Sequence, residues 1–367
     1  MSILRVAVVG AGSISREYAL HHFQVCPRTR VSAIVDLNEQ RAAALARDVG
    51  SVQAGAAVAN ASGRGYSAAP IETRGVPVAC GTALTAELLV ACDMVYIGTT
   101  PASHADIVLD ALAAGKHVLL EKPLAATATQ ADAIVAAAEK AAAQGLRLGM
   151  DIGMRWNAAL LEMRRIAITA GDLGPLIRGR LSLHFPQWPR PWQVQPWCAG
   201  RAEGGALREV GTHWFFGLME LFGHECVQRV RCTVTYPAAD NEGTAAESAA
   251  DGTLVLRNGL ALALSLRCDG GGLAVDGTDH YVLRLEGERG ELELFGFTSL
   301  RQTAPPADAA LLVDGAGYGR GECITALLTA VDGGEGGGIS AREGRNAQRI
   351  LDAVVASHGE WLEVEYD

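Results

Sequence analysis

The first fifteen residues constrain this chain more than any other stretch. An apolar run, Leu4–Val9, leads into Gly10-Ala11-Gly12-Ser13-Ile14-Ser15, and a helical pattern follows to about Phe23. Strand, G-x-G-x-x-S and helix in that order form a variant of the dinucleotide fingerprint. Gly10 lets the chain turn tightly, Gly12 lets the backbone approach a pyrophosphate, and the small Ser15 takes the position where helix and strand pack closely. The helix N-terminus offers N–H groups and the positive end of its dipole to phosphates. Ser13 and Ile14 sit in the same turn and count as cofactor contacts on this reading. A glycine turn alone is a weak signal; a strand before it and a helix after it strengthen it.

The next hundred residues repeat the strand–helix alternation. Val31–Val35, Met94–Ile97 and Val118–Leu120 are short apolar runs, each followed by a helical pattern. Continuous apolar strands separated by helices predict a parallel sheet covered on both faces. Asp36 ends the second run, about two dozen residues after Gly12. Its carboxylate can accept hydrogen bonds from the adenine ribose and would repel a 2′-phosphate, which favours NAD over NADP. Alternatively it caps the next helix, and Arg41 keeps NADP open. Thr99-Thr100-Pro101-Ala102-Ser103-His104 follows the Met94–Ile97 run. Loops at carboxyl ends of such strands line the ligand crevice, so Thr99, Thr100, Pro101 and His104 are read as facing the cofactor, with a plain turn and helix cap as the alternative. Residues 51–75, rich in Ala, Gly and Ser, read as a surface insertion.

After Pro123 the texture changes. Two helical stretches, Thr127–Gln144 and Ala158–Ala170, precede alternating apolar–polar runs at Ile177–His184, Val227–Val234, Gly252–Leu256, Leu260–Leu266, Tyr281–Leu285 and Glu291–Phe295. Turn signals at Asn258-Gly259 and Glu288-Arg289-Gly290 separate some of them. This predicts a mostly antiparallel sheet with one buried face. Helices at Glu322–Val331 and Ala341–Ser357 and a short strand, Trp361–Glu365, end the chain. The expected class is therefore α/β: a Rossmann dinucleotide-binding domain over 1–123 and a second α/β domain over 124–367, whose last helix packs back on the first.

Composition excludes several roles. A net charge of −10 disfavours a nucleic-acid groove. No apolar stretch approaches the roughly 20 residues of a membrane span, and Met1–Gly10 lacks the long apolar region of a signal peptide. The eight cysteines contain no C-x-x-C pair, which points to reduced thiols in a cytoplasmic protein and to no metal site.

Two clusters carry chemistry. Val118-Leu119-Leu120-Glu121-Lys122-Pro123 is a buried strand ending in a charged pair where the chain leaves the Rossmann domain. A lysine there can polarise a carbonyl or hydroxyl oxygen, with Glu121 beside the cofactor; the plain alternative is solvated turn charge. The second cluster, Gly204-Gly205-Ala206-Leu207-Arg208-Glu209-Val210-Gly211-Thr212-His213, continues as an apolar-patterned helix. Glu209 and His213 are four apart and share a helical face. A histidine oriented by a carboxylate can take up an alcohol proton as hydride leaves, and return it in reduction. A surface pair is the alternative, and a metal half-site lacks a third ligand. Trp197, in a Trp- and Pro-rich segment, can stack on a sugar ring or pack an ordinary loop; Arg208 and Arg201 can bind an anionic substituent or simply face solvent.

Together, G-A-G-S-I-S, T-T-P-A-S-H-A, E-K-P and G-G-A-L-R-E-V-G-T-H resemble the Gfo/Idh/MocA oxidoreductases, in order and spacing across nearly the whole chain. The resemblance implies that Lys122 is the active-site lysine and that Glu209 and His213 assist proton transfer. It implies that Arg155 and Asn157 line the substrate site, and that the open second sheet mediates a homodimer or homotetramer. Glu209 stands where the family usually has Asp, and Phe216 where it often has a second Asp.

The leading expectation is NAD-dependent hydride exchange at a secondary alcohol or ketone of a sugar, cyclitol or sugar derivative, with NADP possible. The alternatives are NADPH-dependent reduction of a less polar carbonyl or imine, which Phe216 favours, and a non-enzymatic dinucleotide sensor.

Overall fold

A computed structural model describes residues 2–51, 78–303, 309–315 and 317–366. Apart from Ser51, the insertion read over 51–75 lies outside these residues. The chain divides into two compact units, Met1–Asp151 with Arg320–Arg342, and Ile152–Gly319 with Glu343–Asp367.

The first unit contains β1 (Leu4–Val9), α1 (Ser13–Glu17), β2 (Thr29–Val35), α2 (Glu39–Ser51), β3 (Ala79–Gly81), α3 (Ala86–Val90), β4 (Met94–Ile97), α4 (His104–Ala113), β5 (His117–Glu121), α5 (Ala128–Ala142) and β6 (Leu148–Asp151). Its strands lie in the order β3-β2-β1-β4-β5-β6, and all are parallel. Because the polypeptide reverses between β1 and β4, the carboxyl ends of these two strands form the switch point where such sheets bind ligands. Val6, Val8, Met94, Tyr96 and Leu119 are fully buried, as expected of strands covered on both sides. α1 continues as a π-helical turn through Phe23. Thr127 and Gln130 form a reciprocal capping box at the start of α5, satisfying two otherwise orphaned backbone N–H groups.

This unit runs past the expected boundary at residue 123. α5 and β6 belong to it, because β6 adds a sixth parallel strand beside β5 with Glu121 opposite Asp151. The penultimate helix, Arg320–Val331, belongs here too. It contributes Ile324, Leu327 and Leu328 to the core that holds Val6, Tyr18 and Phe23.

The second unit begins with α6 (Ala158–Arg164), β7 (Leu176–His184), α7 (Thr212–Phe222), β8 (Val227–Thr235), β9 (Ala249–Leu256) and β10 (Ala261–Arg267). It continues with β11 (His280–Gly287), β12 (Gly290–Phe295), β13 (Ser299–Thr303) and β14 (Ala310–Val313). After α8 (Arg320–Val331) come α9 (Ala341–Ala356) and β15 (Leu362–Glu363). Nine strands form one sheet in the order β14-β13-β12-β11-β7-β10-β9-β8-β15. Among the described residues of this sheet, only β7 and β10 pair in parallel. The alternation seen in sequence appears directly in β10, where Leu262, Leu264 and Leu266 face inward. β13 and β14 extend the sheet beyond the strands expected from sequence. Among the described residues, no helix is long and apolar enough to cross a membrane.

Candidate active site

In the first unit the glycine turn is wedged between strand ends. Gly10 has φ +90°, and a Cβ there would lie 2.7 Å from the Gly98 carbonyl oxygen. Both facts exclude any other residue without distortion. Its N–H donates to the Val35 carbonyl (2.7 Å). Ser15 is fully buried, and its hydroxyl reaches the Gly98 carbonyl at 3.4 Å, so the third fingerprint position does join helix to strand. Gly12 has nothing within 4 Å of where a Cβ would stand. Ser13 and Ile14 follow it as the first residues of α1. A backbone bare at Gly12 beside a helix start is the cradle a pyrophosphate requires.

Asp36 is nearly buried and fixes this turn. Its Oδ2 accepts from Ala11 N–H (2.7 Å). Its Oδ1 accepts from Asn38 N–H (2.8 Å) and from the Arg41 guanidinium (2.9 Å). The carboxylate thus braces the glycine turn, while the cap of α2 is the Asn38 side chain, whose Oδ1 accepts from Arg41 N–H at 3.0 Å.

Two expected cofactor contacts have other work. His104 is fully buried, and its ring nitrogens meet the carbonyl oxygens of Pro123 (3.0 Å), Leu124 (3.3 Å) and Thr99 (3.2 Å). It ties the Thr99–Pro101 loop to the segment after Lys122 and does not face out of the domain. The Thr99 hydroxyl accepts from Ser103 (2.8 Å), while Thr100 precedes a 3₁₀ turn begun by the buried Pro101. Glu121 also turns inward. Tyr96 donates to its Oε1 (3.1 Å), and Lys122 N–H lies 3.3 Å from its Oε2. Burial, with Asp151 as a second acid nearby, pushes the Glu121 carboxyl well above the usual carboxylate range, while Lys122 and Arg320 pull the other way. Lys122 itself is half-exposed at the end of β5, in keeping with a group that meets a ligand.

The second unit presents the histidine. The glycine pair ahead of it has a steric reason: a Cβ on Gly204 would overlap the Trp197 carbonyl, and one on Gly205 the Glu247 carboxylate. Glu247 caps the helix start, accepting from Leu207 N–H at 2.6 Å. Leu207–Gly211 is π-helical and only then passes into α7. This wider turn changes the angular relation between Glu209 and His213 that simple helical spacing predicts, and such turns recur at functional sites. His213 is half-exposed, and its Nδ1 is hydrogen-bonded to the Tyr318 hydroxyl. Tyr318 stands perpendicular to the imidazole, with ring centroids 5.3 Å apart. Phe297 packs edge-on against both rings (5.5 and 5.7 Å) and stacks on Trp214 (4.9 Å). Burial raises the Tyr281 phenol against the pull of Arg190, with Asp279 and, last, Glu209 adding to the rise.

Several other expected substrate contacts have partners within the second unit. Asn157 is fully buried; its side chain caps α6 at Leu160 N–H (3.0 Å) and donates to the Phe297 carbonyl (2.6 Å). The Arg155 guanidinium bridges Glu220 (2.7 Å) and Glu343 (2.5 Å). Glu220, His224 and Glu343 offer three ligand atoms within 4.8 Å of one another, but Arg155 already supplies the positive charge there. Phe216 is fully buried and lies 5.7 Å beneath Arg155, so it is no measure of substrate polarity. Arg208 has its pKa lowered by burial, against the attraction of Asp352, Glu247 and Glu203. Arg201 pairs with Asp240 at 3.6 Å and lies 3.4 Å over the Tyr236 ring. Trp197 is half-buried in a short 3₁₀ turn, its carbonyl packed on Gly204.

Sequence reasoning missed Tyr318, Phe297 and Glu247. Gly319, with φ +94°, is the one local mark of a tight approach near Tyr318. The double glycine at 204–205 marks the close approach of Glu247.

Residues 4–149 match the NAD-binding Rossmann fold of the Gfo/Idh/MocA oxidoreductase family, and residues 165–364 match its C-terminal alpha/beta domain. The chain belongs to this family. Among curated relatives of this Gfo/Idh/MocA protein is 1,5-anhydro-D-fructose reductase of Ensifer adhaerens, 31% identical over 57% of this chain and 54% of the relative. Another is inositol 2-dehydrogenase 3 of Saccharopolyspora erythraea, 26% identical over 57% of this chain and 52% of the relative. These matches thus span about half the relatives' length. A solved structure of WlbA dehydrogenase from Bordetella pertussis, with NADH and UDP-GlcNAcA, covers 100% of both chains with TM-score 0.75 and 20% identity. At that identity the likeness supports the fold. The first unit is thus an NAD-binding Rossmann domain.

Proposed function

We propose that this chain exchanges hydride reversibly between NAD and the carbinol or carbonyl carbon of a sugar, cyclitol or sugar derivative. The observation that carries the reading is His213, a half-exposed imidazole held through Nδ1 by Tyr318, in a chain that carries the nucleotide turn of an oxidoreductase family. Gly10, Gly12 and Asp36 would hold the dinucleotide, with Ser13, Ile14 and Thr99–Pro101 beside it. Bound NAD would supply the hydride acceptor for oxidation at the carbinol carbon, and NADH the donor for reduction. His213 accepts the hydroxyl proton in oxidation and gives it back in reduction, with Glu209 nearby in the same turn of chain. Lys122 steadies the developing negative charge on the substrate oxygen. The named relatives, 1,5-anhydro-D-fructose reductase and inositol 2-dehydrogenase 3, support the substrate class.

The test follows reduced-cofactor absorbance with NAD or NADP against a panel of sugars, cyclitols and sugar acids, for wild type, Lys122→Ala and His213→Ala. Turnover lost by about 100-fold or more in both variants is expected; full activity in either removes that residue from the chemistry. A second reading, carbonyl reduction with NADPH, is favoured by Arg41 beside Asp36. It predicts turnover of carbonyls with NADPH and none of alcohols with NAD.

Homo-oligomerisation through the second sheet belongs to the same proposal, supported by exposed Ile177 on β7 and Leu311 and Leu312 on β14. Sedimentation as a monomer at micromolar concentration would remove it. A cytoplasmic setting is supported by eight cysteines that are all free thiols; disulfides in protein alkylated directly from cells would contradict it.

A further inference from the structure

We propose that Tyr318 is the positioning residue of His213, and that its hold on Nδ1 makes Nε2 the atom that exchanges the proton with substrate. The inference rests on the reading of His213 given above and goes further by assigning the atom and the partner.

Three features converge on Tyr318. First, its hydroxyl bonds Nδ1 directly. Second, the imidazole cannot turn easily. The perpendicular Tyr318 ring and the Phe297 edge both pack against it. Phe297 is itself held by Asn157 at φ +65°, a left-handed conformation that a bulky residue keeps only where its surroundings enforce it. Third, the backbone of Tyr318 is seated by a close approach that only glycine permits. A Cβ on Gly153 would overlap the Tyr318 carbonyl, and one on Gly319, where φ is +94°, would overlap the Gly153 carbonyl. A tyrosine seated this way is preorganised, and orientation of this kind counts strongly toward rate.

The chemistry follows from what a hydroxyl can do. In this assignment Tyr318 Oη accepts a hydrogen bond from Nδ1–H, and the basic lone pair is then on Nε2. In oxidation the C–H electron pair of the carbinol would leave as hydride to NAD, the acceptor proposed above, the O–H pair would become the second C–O bond, and the proton would go to Nε2. The imidazolium keeps Nδ1–H on Oη, and reduction runs the same transfer backwards. A carboxylate in that position would give the imidazolium a counter-charge; a phenol gives it a fixed direction without one.

The experiment uses the full chain with 15N-labelled histidine, the His213 signals being assigned by their loss in His213→Asn. In wild type the shifts should show hydrogen on Nδ1 and a bare Nε2 above the titration midpoint. Tyr318→Phe keeps the ring and removes only the hydroxyl. It should mix the two neutral tautomers and move the midpoint, while melting stays close to wild type. With the panel alcohol that wild type oxidises fastest, kcat should fall about 10- to 100-fold, KM should change by less than about threefold, and the acid limb of the pH profile should move. Gly153→Ala, which displaces Tyr318, should reproduce the tautomer mixing in whatever fraction folds. An unchanged tautomer and midpoint in Tyr318→Phe overturns the proposal. A changed tautomer in a protein that turns over no panel substrate upholds the pairing and leaves the failure with the reaction assigned above.

Discussion

Replacing Asp36 by Asn tests the cofactor turn without changing its size. Each carboxylate oxygen serves a different part of the structure: Oδ2 holds Ala11 N–H at 2.7 Å, and Oδ1 holds Asn38 N–H at 2.8 Å and Arg41 at 2.9 Å. All of these partners are donors. An amide has one oxygen, so its NH2 must face either Ala11 N–H or the Asn38–Arg41 pair. At a position only 8% exposed, water cannot fully replace the lost acceptor. Hydrogen bonds to a charged group contribute about 1.5–3 kcal/mol, so the first unit should lose about that much, or roughly 3–12 °C in melting temperature. Loss of the carboxylate also frees Arg41 and removes repulsion toward a 2′-phosphate. The ratio of NADP to NAD affinity should therefore rise about tenfold or more. The probes separate cleanly. All six tryptophans (Trp156, Trp188, Trp192, Trp197, Trp214 and Trp361) lie in the second unit, so their fluorescence serves as the control while far-UV circular dichroism follows both units. Unchanged stability together with an unchanged cofactor ratio would refute the bracing role of Asp36.

Further outcomes are expected elsewhere. Because the Glu121 carboxyl keeps its proton above its ordinary 4.5, the folded chain binds more protons than the unfolded one as pH rises past that value, and stability falls with pH over that window. Glu121→Gln cannot titrate, so urea midpoints at about pH 5 and about pH 8 should differ less in the variant than in wild type. Gly205→Ala places a methyl on the Glu247 carboxylate at φ +96°; it should destabilise by about 2 kcal/mol or more, and a neutral result by denaturant titration would show that the contact yields freely. Asn157→Ala removes a helix cap and strands the Phe297 carbonyl; about 2–4 kcal/mol should be lost, with kcat falling alongside as Phe297 leaves its left-handed conformation.

What could be read in advance followed the range of the forces involved. Gly10, Gly12, Ser15 and Asp36 lie within one strand–helix–strand stretch, where local sterics dictate the residue types, and the turn they build was legible. So were β7 to β12, because a half-buried strand writes its alternation into the sequence. The boundary at Pro123 was set one strand too early because Leu148–Asp151 is too short to announce itself. The Glu209–His213 geometry was drawn from α-helical spacing, and the π turn shifts it. Tyr318 meets His213 across 105 residues, a contact that no local pattern encodes. Arg155, Asn157 and His104 were read as ligand contacts because they are polar and sit beside motifs, yet each is engaged by partners of its own chain.

The helix Arg320–Val331 closes the first unit from the far end of the sequence, and this has a consequence for biosynthesis. On the ribosome, residues 2–151 emerge long before Ile324, Leu327 and Leu328 arrive to cover Val6, Tyr18 and Phe23. Until then Glu121 and Asp151 also lack the positive charge of Arg320. The nascent nucleotide-binding unit must therefore wait, incompletely covered, while the whole second sheet is translated. A fragment cut at Asp151 should be insoluble or chaperone-bound, and supplying the Arg320–Arg342 segment in trans or through a short linker should restore its solubility.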